Sequence, residues 1–168
     1  MPHPLVTQLR FTRKEWLRGL DGVTAEEAAR RFGSMNSIGW IVGHLAWHEQ
    51  LYWLQRVQGR TVVPEVAESA YGAAARTPPL DRMLAAWRTI TEAADPYLDT
   101  LTTETLSTHY QVSGKPHRES IGTNLRRLTY HYWFHLGESQ AIRQLLGHTG
   151  LPDFVGDISQ APYRPEAD

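Results

Sequence analysis

Tyr130-His131-Tyr132-Trp133-Phe134-His135-Leu136-Gly137-Glu138 is the stretch on which the fold turns. It is apolar enough to read as helix, and it carries two histidines four residues apart. At ~100° per residue, His131 and His135 lie on one helix face, one turn apart. Two imidazoles so placed can grip one metal ion, as in the H-E-x-x-H zinc motif. Upstream, His44 and His48 repeat the spacing inside a second apolar helical run. Whether the two pairs meet decides what the protein can do.

The helical period extends outward from these two runs. A first helix is expected over 4–19, with Leu5, Leu9, Thr12 and Trp16 on one stripe. Thr24-Ala-Glu-Glu27 reads as a capping box opening a short helix to about residue 31. A second long helix is expected over 37–57, capped by Asn36 or Ser34 and stopped at Gly59. Its apolar residues point nearly all round, so it is either central in the domain or part of an oligomer contact. Residues 60–79, with Pro64, Gly72 and Pro78-Pro79, read as a crossover with a helical turn near 65–70. A third helix is expected over 80–98, with Thr77 as its cap. Residues 99–117 are polar and carry turn chemistry at Ser113-Gly114-Lys115-Pro116, flanked by short extended pieces. A fourth helix is expected over 120–146, with Leu125, Leu128, His131, His135, Glu138, Ile142 and Leu145 on its inner stripe. Four amphipathic helices with long connections make an all-α four-helix bundle over 1–150, followed by a Pro-rich C-terminal tail over 151–168. The tail, with Phe154 and Tyr163, is open to two readings, a cover over a site or a mobile end.

Composition limits the chemistry. The 168 residues suit one domain with a real core. Seventeen basic and 18 acidic residues leave a net charge of −1, which predicts no nucleic-acid or anionic-membrane partner. Arg126 and Arg127 do not change that balance. No apolar run is long enough to span a bilayer, and the first residues lack a signal-peptide core, so a cytoplasmic protein is expected. The absence of cysteine excludes thiolate metal sites and a cysteine nucleophile. A metal must be held by His, Asp or Glu, and any thiol must arrive with a small molecule. Six tryptophans favour a packed interior and an aromatic-walled pocket.

One H-x-x-x-H pair is weak, since eight histidines in this length give about 0.4 such pairs by chance. For one pair, a satisfied core histidine is the better reading. Two pairs on long helices shift the balance, because several buried imidazoles need partners for their nitrogens. A metal supplies them, and bundles build such sites from facing helices. Spacing leaves open which of His44 and His48 takes part.

The segment Ser37-Ile38-Gly39-Trp40-Ile41-Val42-Gly43-His44-Leu45, with Trp53 beyond it, resembles the second-helix motif of the DinB/YfiT-like superfamily. The run His131 to Glu138, continuing to Ile142-Arg143, resembles that superfamily's fourth-helix motif: two His at i and i+4, any residue, Gly, then Gln or Glu. The resemblance covers helices two to four in order. It implies an up-down-down-up bundle with a divalent metal held by His44, His131 and His135. His48 falls one turn further along and is read as a fourth ligand, a substrate contact or packing. Glu138 stands where Gln is common, and is either an ordinary polar residue or a partner that orients His135 or a bound water. Zinc or nickel suits imidazole ligands, and the sequence leaves the choice open.

Three functions are carried forward. The first is a metal-dependent transferase or isomerase that activates an exogenous low-molecular-weight thiol for a small-molecule substrate, a chemistry found within the resembled superfamily. The second is a non-catalytic metal-binding, stress-associated module acting as a homodimer. The third is a metal-dependent hydrolase with Glu138 as base. His3, His109, His117 and His148 are expected at exposed ends and loops, Arg143 at the surface, and Asn124 near the site mouth.

Overall fold

The computed structural model describes residues 1–165; residues 166–168 of the tail lie outside the described residues. The described chain is all-α apart from one small hairpin. In chain order the helices are α1 (Pro4–Gly19), α2 (Ala25–Ala29), α3 (Ile38–Gln50), α4 (Leu80–Leu98), α5 (Thr103–Ser107) and α6 (Ile121–Leu145). The hairpin pairs β1 (Gln111–Val112) with β2 (Lys115–Pro116) across Ser113 and Gly114, both at positive φ. No described helix is long and apolar enough to cross a membrane.

Local chemistry sets most of the boundaries. The Thr24–Glu27 capping box forms as expected, though α2 stops at Ala29. Ser120 caps α6, and Gly147, at φ 90°, follows its end. Two expected caps are corrected. Ser37 caps α3, its Oγ accepting from the Trp40 amide at 3.2 Å, so neither Ser34 nor Asn36 is needed. Pro79 holds the cap position of α4 without any side-chain hydrogen bond, and Thr77 does not serve there. A proline loses nothing at that end, because its missing N–H would have had no intrahelical partner. α5 was not legible as helix: it is five residues long and rests on a Thr102–Thr105 box in a polar stretch.

The second long helix departs from a uniform rod. α3 continues without a break into a π-helical segment, Leu51–Arg56. Hydrophobic periodicity does not report this change, because the apolar residues of α3 surround the whole helix. That surround is satisfied inside the protomer: Ile38 to Ala46, Glu49 and Gln50 are all buried. α4 covers one side of α3, a 3₁₀ turn (Pro64–Ser69) in the crossover covers another, and α6 a third. The all-round apolar pattern therefore fits the centre of the domain.

End-to-end contacts fix the helix directions. Gly39, at the start of α3, abuts the Pro78 carbonyl just ahead of α4. Glu49 and Asp95, near the ends of α3 and α4, meet on one Arg13. His3 and Leu5 share a recess with Ser120 and Thr123, and Gly19 meets Leu136 and Gln140. Thus α1 runs alongside α6 in the same sense, and α3 alongside α4. Two successive helices that share a direction need a return crossover. Residues 57–79 provide it, with ample reach at ~3.3 Å per extended residue for a helical rod of ~30 Å.

Gln50 pins that crossover. Its side chain accepts from the Val62 and Val63 amides at 2.9 and 2.8 Å and donates to the Val63 carbonyl at 2.9 Å. Gly39 and Gly43 let the crossover lie against α3. A Cβ on Gly39 would sit 2.3 Å from the Pro78 carbonyl oxygen, and one on Gly43 would sit 2.6 Å from Ser69 Oγ.

α6 packs against α1, and its inner face differs from the expected stripe at two positions. Leu145, expected inside, is exposed. Arg143, expected at the surface, is buried and donates to the Gly19 carbonyl at 2.5 Å and to His148 at 3.1 Å. It thereby satisfies a helix C-terminal carbonyl of α1. His148 is in turn bonded to Glu27, and His3 is buried and caps α1. Neither is a free loop histidine.

A buried polar network ties all four long helices. Arg13 (α1) donates from Nε and Nη2 to the two carboxylate oxygens of Glu49 (α3) at 2.7 and 2.6 Å, and from Nη1 to Asp95 (α4) at 2.8 Å. Tyr132 (α6) donates to Glu49 at 2.7 Å, and Trp87 (α4) donates to the Tyr132 hydroxyl at 2.7 Å. Burial opposes the Arg13 charge, but the Glu49 carboxylate outweighs it and raises the guanidinium pKa above its ordinary value. Burial, with Glu49 beside it, pushes the Tyr132 phenol well up, so it stays protonated and donates.

Glu49→Ala leaves Arg13 buried and half-paired, and is expected to lower the unfolding free energy by about 3–5 kcal/mol. Denaturant titration checks this. Gly39→Ala forces the crossover backbone off α3 and is expected to cost about 1–3 kcal/mol. An unchanged unfolding midpoint would refute the close approach.

Candidate metal centre

His44 and His48 project from α3 and His131 and His135 from α6, and the four rings form one cluster. Ring centroids are 4.8 Å apart for His44–His48, 5.0 Å for His44–His131, 5.3 Å for His44–His135, and 4.5 Å for both His48–His131 and His131–His135. One nitrogen from each of His44, His48 and His131 lies within 4.8 Å of the others, a grouping able to hold a metal ion. His135 adjoins this group, its Nε2 at 2.8 Å from His131 Nε2. His48, left open by spacing, thus joins His44 and His131 in one group.

Each ring is fixed by its second nitrogen or by its neighbours. His44 Nδ1 donates to the Ser69 carbonyl at 2.7 Å, which leaves Nε2 with a lone pair. Its ring stacks on Trp40 at 4.6 Å. His135 Nδ1 meets Glu138 Oε2 at 2.7 Å. These are the partners that orient metal-binding imidazoles and fix their tautomer. Glu138 therefore acts on His135, and it does not line the open cleft. Ser69 was missed by sequence reasoning because it offers only its backbone. The Gly39/Gly43 spacing was the available signal that another segment crosses α3 there.

The donor set fits a divalent cation. His48 Nδ1 is buried with no hydrogen-bond partner, an arrangement unfavourable for a polar atom left alone. Three of the imidazoles, His44, His48 and His131, are also held neutral, the form that binds metal. Burial first, then the neighbouring His131 and His44, lowers the pKa of His48 to about 2. Burial first, then His135 and His44, lowers His131 to about 3. Burial lowers His44 to about 4, against the opposing pull of the Ser69 carbonyl.

The cluster opens on a cleft of about 780 Å³. His44, His48 and His131 form its polar end. Tyr52, Tyr71, Tyr130 and Phe134 supply aromatic walls, and Thr123, Arg126 and Arg127 complete the lining. No carboxylate lines it among the described residues. The π-helical segment serves this cleft. In an α-helix each fourth residue overshoots the last by ~40°, so a row at 44, 48, 52 and 56 would drift off one face. The wider π turn holds more residues and reverses the drift. Tyr52 consequently stays edge-on to His48 at 5.4 Å, with Arg56 5.1 Å from the Tyr52 ring centroid. Arg56 is fixed by donating to Tyr110 at 2.7 Å. Tyr110 donates to Asn124 at 2.9 Å, so Asn124, expected near the mouth, is buried behind the wall.

The described part of the tail, residues 151–165, does not line the cleft. It runs along α1: the Gly156 amide donates to Glu15 at 2.6 Å, Arg18 donates to the Asp153 carbonyl at 2.5 Å, and Gln8 donates to the Ala161 carbonyl at 2.9 Å. Phe154 and Tyr163 are exposed.

The depressed imidazole pKa values give a pH dependence. The unfolded chain protonates these histidines below their ordinary value of 6.5, whereas the folded chain keeps them neutral to about 4, 2 and 3 for His44, His48 and His131. Between 6.5 and about 4 the unfolded state binds more protons, so stability falls as pH falls. The melting temperature of metal-free protein is expected to drop steadily across that window, read by calorimetry. A flat profile would mean that the rings are solvated and not held as described.

The sequence model of the DinB superfamily matches residues 8–139, a span that holds most of α1, all of α3 and α4, and all four clustered histidines. No curated protein matches the chain. Helical architecture, histidine placement and family match agree, and the chain belongs to the DinB superfamily.

Proposed function

We propose that this is a divalent-metal-dependent enzyme that activates an exogenous low-molecular-weight thiol for transfer to, or isomerisation of, a small-molecule substrate. The observation that carries the reading is the pairing of a histidine cluster with a wide cleft whose lining, among the described residues, holds no thiol and no carboxylate. His44, His48 and His131, with His135 beside them, are the side chains that would hold zinc or nickel. When bound, a divalent cation supplies Lewis acidity that favours the thiolate form of a thiol. The protein's own part is positional. Ser69 and Glu138 orient two rings, the tryptophans around His44 exclude water from its back, and the aromatic walls receive an apolar substrate body.

The cleft volume falls within the range of small-molecule sites, ~300–1,000 Å³, which weighs against a module too narrow for a cofactor thiol. The hydrolase reading requires Glu138 to face attacking water, and its bond to His135 weighs against that.

The test uses zinc- and nickel-loaded protein, a panel of small thiols and monochlorobimane. In the reaction the thiol loses its proton to water, a C–S bond forms and chloride leaves. The rate is expected to exceed that of His131→Ala by at least about ten-fold, the scale of a group that positions or polarises a reactant. Equal rates for wild type and His131→Ala with every thiol would remove the proposal.

A further inference from the structure

The cleft has a second chemical end. Thr123, Arg126, Tyr130, His131 and Phe134 all come from one face of α6 and line the same opening. The two arginines at this end differ. Arg127 is engaged with Glu119 through Nε at 2.9 Å and through Nη2. Arg126 is exposed and has no carboxylate partner among the described residues. It also borders, with Thr123, a smaller recess of about 220 Å³ against His3 and Thr103, and that recess contains no carboxylate either.

A guanidinium without a counter-charge, facing a cleft with aromatic walls and no acid, selects an anion with a flat or apolar body. Arg reads a planar carboxylate through two parallel hydrogen bonds. Five residues separate Arg126 from His131, which is ~7.5 Å along the helix axis. The cationic and histidine ends of the cleft are therefore set on one helix, at separate heights along it.

We infer that Arg126 is a specificity-determining residue that reads a carboxylate on the molecule entering this cleft, with an aromatic or apolar spacer between that carboxylate and the reacting atom. The inference rests on the proposed thiol chemistry for the meaning of "reacting atom", but the recognition itself is a binding property. Either the thiol or the electrophile supplies the carboxylate, since both must enter by the same opening.

The experiment separates these sources and separates binding from turnover. Isothermal titration of zinc-loaded protein uses 4-(mercaptomethyl)benzoate against 4-(mercaptomethyl)benzamide, and 4-(bromomethyl)benzoate against its benzamide as electrophile in the rate assay. In at least one arm the carboxylate is expected to be favoured about ten-fold, the effect of one charge-assisted hydrogen-bonded pair. Arg126→Gln is expected to abolish the preference, Arg126→Lys to restore part of it, and Arg126→Glu to reverse it. The preference is also expected to shrink with added salt. A carboxylate preference that survives in Arg126→Gln, or no preference in either arm, overturns the inference. If the thiol pair shows the preference in titration but no thiol turns over, recognition by Arg126 stands and the thiol-transfer reading fails. If thiols turn over with no carboxylate preference, the reverse holds.

Discussion

Arg13 gives two hydrogen bonds to Glu49 and one to Asp95, and Glu49 accepts a further one from Tyr132. These residues come from α1, α3, α4 and α6, so one knot of charge binds every long helix to its neighbours. Such a knot does not maximise stability, because removing two charges from water is expensive and apolar packing often does as well. It contributes direction. A guanidinium and a carboxylate that meet in two parallel bonds tolerate little sliding, whereas apolar ridges tolerate more. The sliding that is suppressed is along the helix axes, the motion that would separate side chains on facing rods.

The consequence reaches the histidines by adjacency. Glu49 follows His48, and Tyr132 follows His131. The Tyr132–Glu49 hydrogen bond therefore sets the relative height of α3 and α6 one residue away from two of the clustered rings. On the opposite side of α3, the crossover carries the Ser69 carbonyl to His44, and Gly39 and Gly43 make room for it. The cluster is held between two unrelated devices, a charge knot inside the bundle and a strap outside it. Precise placement of this kind is what a metal site or any reactive constellation needs, since a loosely supported set of ligands loses affinity quickly.

Burial and openness are balanced across the same few residues. His44 and His135 are buried, whereas His48 and His131 are half-buried and face the cleft. Burial holds His44, His48 and His131 neutral, and the half-buried His48 and His131 keep a path to solvent. The π-helical continuation of α3 extends the wall of this opening by keeping Tyr52 and Arg56 in line with His48. A cleft built in this way admits small molecules while its histidine end remains dry enough to strengthen electrostatic contacts.

Sequence alone determined the helical fold and its four long elements, because apolar spacing at 3.6 residues and capping chemistry are local properties. It determined that no cysteine takes part, and that His44, His48, His131 and His135 lie in pairs on helix faces, since a spacing of four is one turn in any helix. Only tertiary structure decided that the two pairs meet, and that His48 joins His44 and His131 in one group, since spacing fixes a face but not what lies across from it. The roles of Arg13, Glu49, Arg143 and Asn124 were hidden for the same reason: a polar residue in a helical pattern reads as solvated until a partner from another helix is brought against it. Ser69 was hidden more deeply, because it acts through a carbonyl that every residue carries. What the chain spells out is which groups exist and which side of a helix they occupy, and what folding adds is the company each one keeps.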